Sequence, residues 1–215
     1  MHSIPKDIFD IKCRQCARLA SFLDQVSQEY PDYYCRPVPP FGDGQAHLLI
    51  VGLAPGKHGA NASGRPFTGD HAGIMLYQTL FRYGFASKPQ SRSANDGLCL
   101  VNCRISNAVK CLPPENKPTG AEIRRCNPYI ASEIRSLPSG SVILALGTIA
   151  HNAVLQALAI KQSSMRFGHN ITHKLPDGQV LVDSYHCSRY NTQTRRLTEA
   201  MFHDVFENIR TLIAD

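Results

Sequence analysis

The chain has no tryptophan, and aromatic residues make up only 8% of it. Charged residues are also modest at 19%, while 43% of positions are apolar, the balance of a soluble globular protein rather than a disordered one. No apolar run approaches the roughly 18 to 20 residues that a membrane helix needs, so no membrane role is expected. The opening residues, MHSIPKDIFDIKC, lack the apolar core of a secretion signal, which makes the cytoplasm the expected compartment. Internal repeats, low-complexity tracts and breaks in composition are missing as well. A single domain over residues 1–215 is therefore expected, large enough to bury a sizeable core.

Acidic residues are the minority charge, 17 against 23 basic ones, for a net charge of +6. That balance suits a nucleic-acid partner without requiring one. The cations gather near polar loops, at Lys57 and Arg65 and again at Arg189, Arg195 and Arg196.

Cysteine is what the chain has in quantity. Eight thiols in a reducing compartment point to metal or redox chemistry rather than to disulfides. Cys13 and Cys16 form a C-x2-C pair, and Cys111 and Cys126 have fourteen residues between them. Soft thiolates select zinc or an iron–sulfur cluster, and the spacing alone leaves both open. The competing reading is four unligated, partly buried cysteines. Cys35, Cys99, Cys103 and Cys187 lack such pairing. Cys99 and Cys103 fall in a strand-like run and read as packing residues. Cys187 reads as core or loop filler, because neighbours in extended chain point to opposite sides and His186 cannot pair with it directly.

Strand and helix signals alternate along the chain. A helical segment from about Lys6 to Gln28 carries the C-x2-C, and HLLIVGL, LCLVNCRI, SVILALG and QVLV read as strands. DHAGIMLYQTLFRYG is helical. Thr119 and Glu122 form a capping box opening a helix to about Leu137, TIAHNAVLQALA is helical, and a last helix is expected over about Thr194 to Ala214. An Asp-Gly turn joins ITHK to QVLV. Such alternation predicts an α/β fold with a parallel sheet covered on both faces.

The loop from Val51 to Gly73, VGLAPGKHGANASGRPFTGDHAG, is the most informative stretch. It leaves the carboxyl end of a strand, where open α/β sheets place ligands, and it exceeds the length of an ordinary connection. Phe67 offers a plate for a base to stack on, or else anchors the loop to the core. Asp70 can orient or deprotonate water, and it also fits the N-cap of the following helix. Two further strands end in polar segments expected on the same rim. Asn107 offers a donor and an acceptor suited to a nucleobase edge, or serves a turn. His186 can donate to a developing anion or exchange a proton near neutral pH.

Together these residues resemble the uracil-DNA glycosylase superfamily, in particular its iron–sulfur branches and most of all family 5, the B-type enzymes. GLAPG and GRPFTGDHAG resemble the first motif, ISNAVKCLPPENKPT the middle one and HCSRYNTQTRRLT the last, a match running from about Cys13 to Thr198. The resemblance implies a three-layer α/β/α sandwich around a mainly parallel four-stranded sheet. It implies a structural [4Fe–4S] cluster on Cys13, Cys16, Cys111 and Cys126, with Cys35 a bystander. Phe67 takes the position that stacks on a flipped base, Asn107 the one that reads its polar edge, and His186 the one that stabilises the departing base anion. The backbone of Gly52, Leu53, Ala54, Pro55 and Gly56 is expected to line the pocket, and Ser188, Arg189 and Asn191 to sit in the minor groove.

Ala54 departs from related families, which carry Asp, Asn or Glu there to position the attacking water. Family 5 shares the alanine, and the carboxylate matching Asp70 is the leading substitute. The implied activity is hydrolysis of the N-glycosidic bond of uracil, and of hypoxanthine and xanthine, in double- or single-stranded DNA. The product is an abasic site, the first step of base excision repair, made by a monomer. The loss at Ala54 keeps a non-catalytic DNA-damage-binding iron–sulfur protein as the alternative, and a cluster used as an electron carrier is a third reading.

Overall fold

In the computed structural model, which describes residues 9–214, four buried strands of five residues form the middle of the sheet. In chain order the strands are β1 (Phe41–Gly42), β2 (Leu48–Gly52), β3 (Cys103–Asn107), β4 (Val142–Leu146), β5 (Thr172–Lys174) and β6 (Val180–Ser184). Their order across the sheet is β1-β3-β2-β4-β6-β5. The central four are parallel and buried nearly throughout, which is why β2 and β4 read as unbroken apolar runs, while β3 and β6 bury polar residues such as Arg104 and Asp183.

The sheet has six strands, where four were expected. The extra two are antiparallel edges: β1, whose two residues are too few to leave a periodic signal, and β5, the ITHK run already joined to QVLV by the Asp-Gly turn. β5 returns to β6 through the expected Asp-Gly turn, where Gly178 N–H donates to Leu175 O at 3.2 Å.

Alternate residues of each parallel strand point to opposite layers. Leu48, Ile50 and Leu144 pack against α3 (His71–Arg82) and α7 (Glu199–Ala214) through Leu76, Leu80, Phe202 and Phe206. Leu49, Val51 and Ile143 face α4 (Gly120–Arg135) and α5 (Thr148–Ala157), meeting Ile130, Ile134 and Val154. The capping box opening α4 is formed, with Thr119 Oγ1 accepting from Glu122 N–H at 3.3 Å and Glu122 Oε2 from Thr119 N–H at 2.7 Å.

Three expectations are corrected. The N-terminal helix, α1, spans Ala17–Glu29, so Cys13 and Cys16 precede it, with Cys16 as its N-cap; the expected start at Lys6 lies outside the described residues. The last helix begins at Glu199 and not near Thr194. A short helix, Arg189–Gln193, comes first, and Arg195 at φ +56° breaks the chain between them. Cys103 is buried, but Cys99 is exposed. It lies on the outward face of a stretch in which Leu98 and Leu100 turn inward. No helix among the described residues is long and apolar enough to cross a membrane.

Candidate active site

All four parallel strands end at one rim of the sheet, and a cavity of about 490 Å³ opens there. The loop after β2 contributes Leu53, Ala54, Gly56, Phe67 and Asp70. The end of β3 brings Asn107, and the segment after β6 brings His186, Ser188 and Arg189. Residues expected on three separate loops thus share one cavity. A fourth strand end also lines it, through Leu146, Gly147, Thr148 and Ile149, as does Asn116. Sequence reasoning missed these. The signal was present, because SVILALG is a strand of the same kind whose carboxyl end must reach the same rim, but its apolar residues offer no chemistry to notice.

Two close approaches set the geometry. A Cβ on Gly52 would lie 2.5 Å from Asn107 Oδ1 and 2.6 Å from Phe67 Cζ, so only glycine lets both side chains close over β2. A Cβ on Gly73 would lie 1.8 Å from Phe67 O, so the first turn of α3 rests directly on the Phe67 backbone. Phe67 itself sits at φ +55°, a conformation rarely adopted outside glycine and held only where surroundings impose it. Its ring is buried, joins the core and runs nearly parallel to the His186 imidazole, at 26° with centroids 5.9 Å apart. Phe67 is thus anchored in the core, as one of its two sequence readings has it, and also lines the cavity.

Asp70 also has both proposed placements. Its Oδ1 accepts from Gly73 N–H at 2.9 Å and caps α3, while the residue lines the cavity and Oδ2 has no protein donor among the described residues. Burial raises its carboxyl above the ordinary range, partly offset by the Gly73 hydrogen bond and by His71.

His186 departs from expectation. Burial pushes its imidazole down to about 4, so the ring is neutral near pH 7 and is no proton exchanger there. Its Nδ1 is enclosed without a partner among the described residues, so no carboxylate holds a second proton. The residue's backbone carbonyl accepts from Asn191 Nδ2 at 2.8 Å, so Asn191 steadies the loop and does not line the cavity. Ser188 lines it and caps the short helix, accepting from Asn191 N–H at 3.4 Å. Pro55 is buried behind the wall.

The expected cluster of cations dissolves in part. Lys57 pairs with Glu29 at 3.0 Å, and Arg65 is buried against Asp96 at 2.8 Å. Arg189 remains exposed, with no carboxylate partner among the described residues.

Cys13, Cys16, Cys111 and Cys126 line a second, small cavity between the start of α1, the segment after β3 and α4. Burial, with the neighbouring thiols adding to it, pushes Cys111 up to about 12. Burial likewise pushes Cys126 to about 11, opposed by Lys110, whose backbone N–H donates to Cys126 Sγ at 3.3 Å. Four thiols crowded in this way favour a cation that takes up their negative charge. Four thiolates from segments remote in the chain fit a zinc ion or an iron–sulfur cluster.

His151, His173 and Asp183 also bring their ligand atoms within 4.8 Å of one another. Both Asp183 oxygens there accept from imidazoles, at 2.8 and 3.1 Å, and the other ring nitrogen of His151 meets Met165 O at 3.0 Å. Hydrogen bonds within the protein account for that group.

The chain matches the model of the uracil DNA glycosylase superfamily over residues 39–210. It is 43% identical over 205 residues to a type-5 uracil-DNA glycosylase of Thermus thermophilus, covering 93% of each chain. It is 41% identical over 208 residues to a type-5 uracil-DNA glycosylase of Mycobacterium leprae, covering 93% of this chain and 91% of the other. Among solved structures, that of wild-type Pedobacter heparinus SMUG2 superposes with a TM-score of 0.51 at 13% identity, over 100% of this chain and 92% of that one. At that identity the likeness concerns the fold.

Proposed function

The chain belongs to the uracil DNA glycosylase superfamily, alongside its type-5 enzymes, and from that premise we propose that its rim cavity takes up a uracil extruded from DNA and that the protein hydrolyses the N-glycosidic bond. The observation that carries this reading is the gathering of an aromatic plate, an amide, a neutral imidazole and a carboxylate around one cavity.

The nucleotide must leave the stack first, at a cost of a few kcal/mol that is least for a mispaired base. Phe67 supplies the face against which the base lies, and the Asn107 amide pairs with its polar edge. As the bond to the sugar lengthens, negative charge collects on the base. The neutral His186 ring donates an N–H to it, and such preorganised donors are worth several kcal/mol in a site shielded from water. Positive charge collects on the sugar. Asp70 faces it as a carboxylate and orients water, whose oxygen bonds to the anomeric carbon while its proton passes to the carboxylate. Ala54 has no polar group to share that task. The base anion takes up a proton from solvent as Asp70 releases one, so the products are free uracil and an abasic site.

We assign Cys13, Cys16, Cys111 and Cys126 to a [4Fe–4S] cluster, whose contribution is a cross-link between chain segments remote in sequence. Cys111 lies four residues from Asn107, and the segment between them pairs with the start of the β2 loop through Val109 N–H to Leu53 O at 3.0 Å. The cluster ligands therefore brace the base-reading residue. The largely apolar cavity lining favours a base range that extends to hypoxanthine and xanthine. The protein works as a cytoplasmic monomer on double- or single-stranded DNA carrying deaminated bases.

Duplexes containing uracil, hypoxanthine, xanthine or thymine, incubated with the protein and then treated with alkali, test this reading. Strand scission at uracil is expected. Binding to the uracil duplex without scission would overturn it in favour of a damage-binding protein.

A further inference from the structure

Two grooves leave the base cavity, and they differ in charge. One, of about 470 Å³, shares Phe67, Asp70, His71 and Arg189 with the cavity and continues past Gln90, Ser91 and Arg92. The other, of about 310 Å³, runs between α3 and the C-terminal helices past Gln78, Thr192 and Glu199. A hydrogen bond of 3.0 Å between His71 Nε2 and Thr192 Oγ1 separates them.

The first groove carries two exposed arginines, Arg92 and Arg189, neither with a carboxylate partner among the described residues. The second contains no lysine or arginine and has the exposed carboxylate of Glu199 at its edge. A polyanion leaving the cavity is drawn into the first and repelled by the second.

The first groove is also built to hold its shape. The buried Arg65 guanidinium donates to Ser91 Oγ at 2.9 Å, Asp96 Oδ1 at 2.8 Å and Ala94 O at 2.5 Å, and lies over the Phe41 ring. Thr68 Oγ1 and Ser91 Oγ are 2.7 Å apart. Arg65 is two residues from Phe67, so one clamp fixes both the base-facing loop and the arginine-bearing one. Asp96 spends its charge on Arg65 and on the backbone N–H groups of Arg92, Ser93 and Leu98. The Arg92 side chain is aimed by Gln90 Oε1, which accepts from Nε and Nη2 at 3.2 and 3.0 Å and leaves Nη1 unengaged.

On the basis of the glycosylase reading above, we propose that the damaged strand leaves the cavity along this first groove, with a phosphate flanking the extruded nucleotide held between Arg92 and Arg189. Arg92 is thus a strand-positioning residue that touches neither the base nor the reacting bond.

The test is steady-state excision of uracil from a duplex by wild type, R92A, R92K and Q78A across a range of salt concentrations. R92A should raise KM about tenfold with kcat nearly unchanged, and reduce the salt dependence of binding by about one phosphate contact. R92K should restore the salt dependence, and Q78A, in the other groove, should match wild type. Duplexes bearing one neutral methylphosphonate linkage on either side of the uridine locate the contact. At the contacted phosphate the neutral linkage should weaken wild type but cause no further loss in R92A. If R92A keeps the wild-type KM and salt dependence, or if both losses add at every linkage, the groove assignment fails while the glycosylase reading stands. If wild type excises no uracil, both fail.

Discussion

Gly52 and Asn107 are register partners at the ends of β2 and β3, and the missing Cβ of Gly52 would fall 2.5 Å from Asn107 Oδ1. The same absent atom would lie 2.6 Å from Phe67 Cζ. One hydrogen therefore keeps the amide and the aromatic plate in place together. Gly52→Ala should displace both, and a shift of about 1 Å at such a site costs on the order of 100-fold in rate. Single-turnover excision of uracil measures it; a wild-type rate would mean that neither side chain has to hold the base where proposed.

Asp70 has two functions that substitution can separate. Asp70→Asn keeps an oxygen for the Gly73 N–H and so keeps the cap of α3, but it removes the charge facing the sugar. Asp70→Ala removes both, and losing an N-cap costs about 1 kcal/mol. Both variants should lose roughly 100- to 10,000-fold in excision, with only the alanine variant losing stability in denaturant. If Asp70→Asn cleaves at the normal rate, the carboxylate does not serve the water.

The acid sensitivity of the fold should report on His186. In the unfolded chain this histidine takes up a proton near its ordinary value of about 6.5, whereas burial holds the folded one unprotonated down to about 4. The unfolded state binds more protons between these values, so stability contributed by the neutral ring is intact above about 6.5 and is lost as pH falls toward 4. His186→Asn should flatten the decline measured by chemical denaturation between pH 7 and 4. Excision should likewise show no inflection near 6.5, and an imidazole-like step in the rate profile there would contradict a neutral donor.

Cys111→Ser should lower the iron and sulfide bound per chain, weaken the visible absorption of thiolate-to-iron bands and reduce thermal stability. Cys35→Ser should change none of these, because Cys35 lies outside the thiol group and meets Asn61 Nδ2 at 3.5 Å. Zinc in place of iron in protein purified without air would reject the cluster assignment.

The central strands, the capping box and the Asp-Gly hairpin were legible because each is encoded by residues close together in the chain. The edge strand β1 was not, since two residues carry no period. Asp70, Asn107 and His186 could be picked out because polar groups beyond apolar strands stand out from their surroundings. Arg65 and Lys110 could not be read correctly. Each looks like an ordinary surface cation, yet Arg65 is 5% exposed and Lys110 1% exposed. Their partners, Asp96 and Glu133, lie 31 and 23 residues further along. Long-range pairing of that kind leaves no local trace. The depressed imidazole of His186 was equally invisible, because burial belongs to the fold and not to the residue.

The base cavity draws on the ends of all four parallel strands, from Leu53 to Arg189 along the chain. No fragment shorter than that span contains it, so a truncated chain cannot keep a weakened version of the activity. Recovery of excision after denaturation would therefore mark the moment at which the whole sheet closes, making the reaction a clock for assembly of the fold.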